Sequence, residues 1–96
     1  MRKRLPAKIS AVHHVQLRLM QTLIFYTTDS CHLCKQAEVL LQELQARHEF
    51  ILESVDIAAD ASLVERYGIR IPVVKNALTL EERGWPFHLA DLLTLI

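Results

Sequence analysis

The residues best suited to chemistry are two cysteines, Cys31 and Cys34, in the run Cys31-His32-Leu33-Cys34. A thiolate is the reactive form of cysteine, and a free thiol has a pKa of about 8.5. At the start of a helix, unpaired backbone N–H groups and the positive pole of the helix can lower that value into the ~3.5–7.5 range. A Cys-x-x-Cys pair placed there has a first sulfur that attacks and a second, one turn deeper on the same side. The second can donate its S–H to the first and later resolve a mixed disulfide. Cys31 is therefore the expected nucleophile and Cys34 the resolving thiol.

The spacing alone leaves other uses open. A structural disulfide here closes a loop of only four residues, worth about 2 kcal/mol by chain entropy. A zinc or iron–sulfur site needs two further ligands, and the chain has no other cysteine. No metal site is assigned within one chain, although a metal or cluster shared between two chains stays open. So does a redox-inactive domain that keeps the fold to bind a partner.

Between and around the sulfurs, His32 would favour a thiolate when protonated, or simply stand as an exposed polar residue. Leu33 is an apolar residue beside the sulfurs and a candidate substrate contact. Asp29 either opposes the thiolate or caps the helix, and Lys35 could offset its charge.

The flanking pattern supplies the elements that position this pair. Residues 21–26 are rich in β-branched and aromatic types and read as a buried strand. Thr27-Thr28-Asp29-Ser30 is a polar turn with N-cap candidates. Leu33, Ala37, Leu40, Leu41 and Leu44 then recur at helical spacing, with Glu38, Gln42, Gln45 and Glu49 mainly on the opposite face. A second strand runs from Phe50 to Ile57. Asp60 is placed to cap a short helix, Ala61 to Tyr67, which Gly68 stops. The β-branched stretch from Ile69 to Val74 predicts a third strand starting near Pro72. Lys75-Asn76 reads as a turn and Ala77 to Glu82 as a fourth strand. His88 to Ile96 closes the chain as a helix, with Leu89, Leu92, Leu93 and Ile96 on one face. The order is β-α-β-α-β-β-α, an α/β fold with a four-stranded sheet.

The 96 residues suffice for one domain, and 51% are hydrophobic. Arg2, Lys3, Arg4, Lys8 and Arg18 make residues 1–20 basic, with no acid to balance them. Residues 21–96 carry six basic and eleven acidic side chains. The acidic domain argues against nucleic acid as a partner. Residues 1–20 read as a basic extension, disordered or loosely packed, and 21–96 as the domain. The stretch Ile9 to Met20 is interrupted by His13, His14, Gln16 and Arg18, so it is not a signal-peptide core, and a reducing cytoplasm is expected. No apolar run is long enough to span a membrane.

Two stretches resemble the thioredoxin superfamily, and glutaredoxin-like proteins in particular: Phe25 to Cys34, and Glu65-Arg66-Tyr67-Gly68-Ile69-Arg70-Ile71-Pro72-Val73-Val74. The resemblance covers about residues 21–96 and looks closest to a small bacterial glutaredoxin-like branch. It implies a thioredoxin-like fold, a mixed sheet flanked by helices, and a cis Pro72 facing the disulfide. It also implies that Ile71 meets an extended substrate through its backbone. Ile71, Pro72, Leu33 and His32 are thus the expected substrate contacts. The activity implied is that of a monomeric dithiol oxidoreductase acting on protein or glutathione-type disulfides and recharged by a reductase or by glutathione. The chain lacks the proline of Cys-Pro-Tyr-Cys and the Gly-Gly-x-Asp turn that binds glutathione. Its corresponding stretch is Arg83-Gly84-Trp85-Pro86-Phe87, with Asp91 further along. Glutathione therefore stays a candidate co-substrate only, and no resident cofactor is expected. Trp85 and Phe87 are expected to pack under the last helix.

Overall fold

The computed structural model describes residues 20–96. The expectation for residues 1–20 thus lies, Met20 apart, outside the described residues. The elements follow the predicted order: β1 (Gln21–Thr27), α1 (His32–Arg47), β2 (Phe50–Asp56), α2 (Ala61–Tyr67), β3 (Val73–Asn76), β4 (Glu82–Gly84) and α3 (Leu89–Leu93). One turn of 3-10 helix, Ile57–Ala59, joins β2 to α2, where the sequence had suggested a longer strand.

The sheet order is β2-β1-β3-β4. β1 runs parallel to β2 and antiparallel to β3, and β3 is antiparallel to β4. Side chains of a strand alternate between faces, and β1 uses both. Leu23 and Phe25 enter one cluster with Cys34, Ala37, Leu41 and Leu44 of α1 and with Leu92 and Leu95 at the C-terminus. Ile24 and Tyr26 meet Ile57, Leu63 and Tyr67 on the other side. Full burial of each large apolar side chain contributes about 1.5–3 kcal/mol, so helices on both faces hold β1 at the centre. The strand that ends just before the cysteines is therefore the best-anchored one.

Three sequence expectations need correction. Lys75 and Asn76 lie in β3, opposite Ile24 and Leu23, and the turn follows them at 77–79. The turn signal of Asn76 is real but displaced: its buried side chain accepts from Leu78 N at 2.8 Å and Thr79 N at 3.1 Å. The fourth strand accordingly shrinks to Glu82–Gly84. At the C-terminus the helix ends after five residues, and Leu95 rather than Leu93 turns inward. Leu93 is 40% exposed and Leu95 only 3%.

Gly68 does end α2, but with right-handed backbone, φ −50°. Its role is close approach. A Cβ there would collide with the Val64 carbonyl, to which Gly68 N–H donates over 2.7 Å.

A candidate redox site at the start of helix α1

β1 ends at Thr27, and Ser30 takes positive φ (65°) to turn the chain into α1. The N-cap is Cys31, in extended conformation, and not Asp29. A cap normally offers a side-chain oxygen to the orphan N–H groups of the first turn. Here the Cys31 Sγ does so, accepting the Cys34 N–H at 3.2 Å. The Cys31 carbonyl accepts Lys35 N–H, also at 3.2 Å, and opens the helical ladder. The two sulfurs are joined as a disulfide, with Cα atoms 5.2 Å apart. Cys31 is partly exposed, whereas Cys34 is 2% exposed and belongs to the main apolar cluster.

His32 and Leu33 are exposed on the first turn of α1, Leu33 at 41%. Ile71 is partly buried and packs against both apolar clusters, one of which it shares with Cys31 and Cys34. Pro72 is fully buried, and the Ile71–Pro72 peptide is cis, in line with what the resemblance implied. The Ile71 N–H is already used, donating to the Tyr67 carbonyl at 3.0 Å. Among the described residues nothing donates to the Ile71 carbonyl. The Pro72 carbonyl accepts from Trp85 N at 3.1 Å, which ties this loop to the segment after β4.

That segment carries a second cis bond, Trp85–Pro86, which the sequence reading did not anticipate. Trp85 and Phe87 make an edge-to-face pair, with centroids 5.1 Å apart. Phe87 is buried and Trp85 packs partly against the core, as expected for residues under the last helix. Asp91 accepts the His88 N–H at 2.7 Å and so caps α3 from within.

Sequence reasoning overlooked two features. One is the brace of the Ile71–Pro72 loop: buried Tyr67, with Glu82 and Arg70. The other is a polar cavity of about 110 Å³ lined by Thr27, Thr28, Asp29, Cys34, Lys35, Glu38 and Asp56. Glu38 is exposed, in keeping with its place on the polar face of α1. Its position four residues after Cys34, hence one turn above it on the same side, was the available signal.

These features fit one family. The family model for the glutaredoxin-like domain (DUF836) matches residues 22–96. The chain belongs to this glutaredoxin-like family. Among solved structures, the domain is similar to the structural-genomics target protein XcR50 from X. campestris. The identity is 40% over 73% of this chain and 88% of that one, with a TM-score of 0.61. It is also similar to protein Ne2328 from Nitrosomonas europaea, at 28% identity over 78% of this chain and 88% of that one, with a TM-score of 0.66. The N21Q mutant thioredoxin from Halobacterium salinarum NRC-1 shares the fold, at 19% identity over 91% and 80% of the two chains and a TM-score of 0.63. No curated protein sequence matches significantly. The domain is thus a glutaredoxin-like member of the thioredoxin superfamily with a paired Cys31–Cys34, an arrangement suited to redox function.

Proposed function

We propose that the protein is a dithiol thiol–disulfide oxidoreductase that reduces protein or small-molecule disulfides through a mixed disulfide. The observation that carries this reading is Cys31 at the N-cap of the 16-residue α1, its sulfur accepting the Cys34 N–H. Helix N–H groups and the positive helix end favour a thiolate there over a thiol. In the first step the Cys31 thiolate attacks one substrate sulfur. A Cys31–substrate S–S bond forms, the substrate disulfide breaks, and one substrate thiolate leaves and is protonated. In the second, the Cys34 thiolate attacks Cys31 Sγ. The Cys31–Cys34 bond forms and the second substrate thiolate departs. The substrate gains two electrons and the pair is left oxidised. A disulfide reductase, or two glutathione molecules, returns the electrons.

Leu33 and His32 on one side and Ile71 on the other contact the substrate, and buried Pro72 contributes by fixing the backbone that presents Ile71. The open Ile71 carbonyl supports a strand-like contact with an extended chain. With this activity goes a cytoplasmic monomer that needs no membrane or nucleic acid. Among the described residues no helix is long and apolar enough to cross a membrane.

Cys34→Ser should trap a mixed disulfide on Cys31 when the reduced protein meets a disulfide substrate, read by intact mass and peptide mapping. Cys31→Ser should form none. Adducts that form only through Cys34 would overturn the assignment of roles, and absence of any adduct the activity itself.

A further inference from the structure

The resolving step poses a problem that the cavity beside Cys34 answers. While Cys31 is tied to substrate, Cys34 must lose a proton before it can attack. At 2% exposure it sits among Ala37, Leu41 and other apolar side chains, where burial disfavours the thiolate. Its route to water is the cavity: Cys34 forms part of the wall, the charged residues that line it are exposed, and about 110 Å³ holds several waters.

Four ionisable groups share that cavity: Asp29 from the loop before α1, Lys35 and Glu38 from α1, and Asp56 from the end of β2. Asp56 already accepts the Ala58 N–H at 2.9 Å as the cap of the 3-10 turn. Asp29 precedes the left-handed Ser30 in the connecting turn. Glu38 differs from both. Its exposed side chain sits one helical turn beyond Cys34 on the same side, and among the described residues its carboxylate makes no hydrogen bond or ion pair. On the exchange reading above, we propose that Glu38 receives the Cys34 proton during resolution. A cavity water relays it, and the same path returns it when the pair is reduced. In the step, the Cys34 S–H breaks and its proton passes through water to the Glu38 carboxylate. The thiolate electrons form the Cys31–Cys34 bond, and the substrate sulfur leaves with the pair from the broken mixed disulfide. Lys35, in the same cavity, steadies the transient negative charge on Cys34.

The idea has a competitor of opposite sign. If Glu38 were merely a negative charge near Cys34, it would oppose the thiolate, and its removal would speed resolution. The test uses the reduced full-length chain and 4,4′-dithiodipyridine in stopped flow. Release of the first thiopyridone reports attack by Cys31, and release of the second reports resolution by Cys34. In Glu38→Gln the second phase should slow on the order of tenfold at neutral pH. This falls below the full range for positioned proton transfer because Asp29 and Asp56 share the cavity. The deficit should shrink as pH rises, because hydroxide then takes the thiol proton without help from a carboxylate, and the first phase should not change. Glu38→Asp, which keeps a carboxylate, should recover part of the rate. An equal or faster second phase in Glu38→Gln, with unchanged pH dependence, overturns the proposal. Absence of the first phase in the unaltered protein would instead refute the exchange reading.

Discussion

The phenol of Tyr67 donates to Glu82 Oε2 over 2.6 Å and joins the end of α2 to β4, fifteen residues later. The same residue makes two other connections. Its ring stacks on Tyr26 of β1, with centroids 4.2 Å apart and planes 21° from parallel. Its carbonyl accepts the N–H groups of Arg70 and Ile71. Arg70 gives Glu82 a second bond, at 2.9 Å, and its guanidinium lies 5.4 Å from the Tyr67 ring centre. One buried tyrosine thus links the strand that leads to Cys31, the loop that carries Ile71 and Pro72, and the edge of the sheet.

Tyr67→Phe keeps the stacking and removes only the hydroxyl. It leaves Glu82, which is partly buried, one bond short. A lost bond of this kind to a charged acceptor costs about 1–3 kcal/mol. Thermal melting should show a drop of several degrees, since about 1 kcal/mol moves a domain of this size by roughly 4–8 °C. Release of the first thiopyridone in the stopped-flow assay should be unaffected, because Tyr67 packs in the cluster on the other face of the sheet from Cys34. An unchanged melting temperature would show that the bond is not part of what holds the loop.

The same pair contributes at both ends of the stability–pH profile. Burial, aided by the bond to Glu82, pushes Tyr67 up to about 12 from the usual 10.0. The folded state therefore holds this proton more tightly than the unfolded one. The stabilisation is complete below about pH 10 and is lost as pH rises toward 12. For Glu82, burial pulls upward, but the hydrogen bonds from Tyr67 and Arg70, with the charges of Arg70 and Lys75, outweigh it. Its carboxyl is held below the usual 4.5. That contribution is present above 4.5 and fades as pH falls through the lowered value. Urea midpoints across pH should show the alkaline fall weakened in Tyr67→Phe and the acid fall weakened in Glu82→Gln. Parallel profiles in all three proteins would contradict this account.

Periodicity made most of the scaffold legible because β1, α1 and α2 are long or sharply capped. The Asp60 carboxylate, for example, accepts from Ser62 N at 2.9 Å where the sequence placed a cap. The chemistry of Cys31 and Cys34 was legible for a similar reason: a helix start is a local feature. What escaped was set by contacts between distant residues. Asn76 reads as a turn former until its amide is seen donating to Gln21 Oε1 at 2.8 Å and to the Leu95 carbonyl at 2.6 Å. Those partners lie 55 and 19 residues away, and burial with every bond met keeps Asn76 in the strand. Tyr67 reads from the sequence as the end of a short helix, and nothing local points to its partner Glu82, fifteen residues on. The cavity escaped because it gathers a loop, a helix face and a strand end.

Leu33 tests whether the exposed turn between the sulfurs selects substrates. It is 41% exposed and packs little, so Leu33→Ser should change stability by no more than about 0.5 kcal/mol. A protein disulfide that lays apolar side chains beside Cys31 would cover the exposed part of the leucine, worth about 1 kcal/mol. Loss of that contact corresponds to a roughly fivefold rise in KM with kcat unchanged. A compact probe such as 4,4′-dithiodipyridine reaches the sulfur without that contact, and its rate should not change. Comparing insulin reduction with the small probe in the same two proteins separates the outcomes. An equal loss on both would mean that Leu33 shapes the reactivity of Cys31 itself, and no loss on either would remove it from the substrate surface.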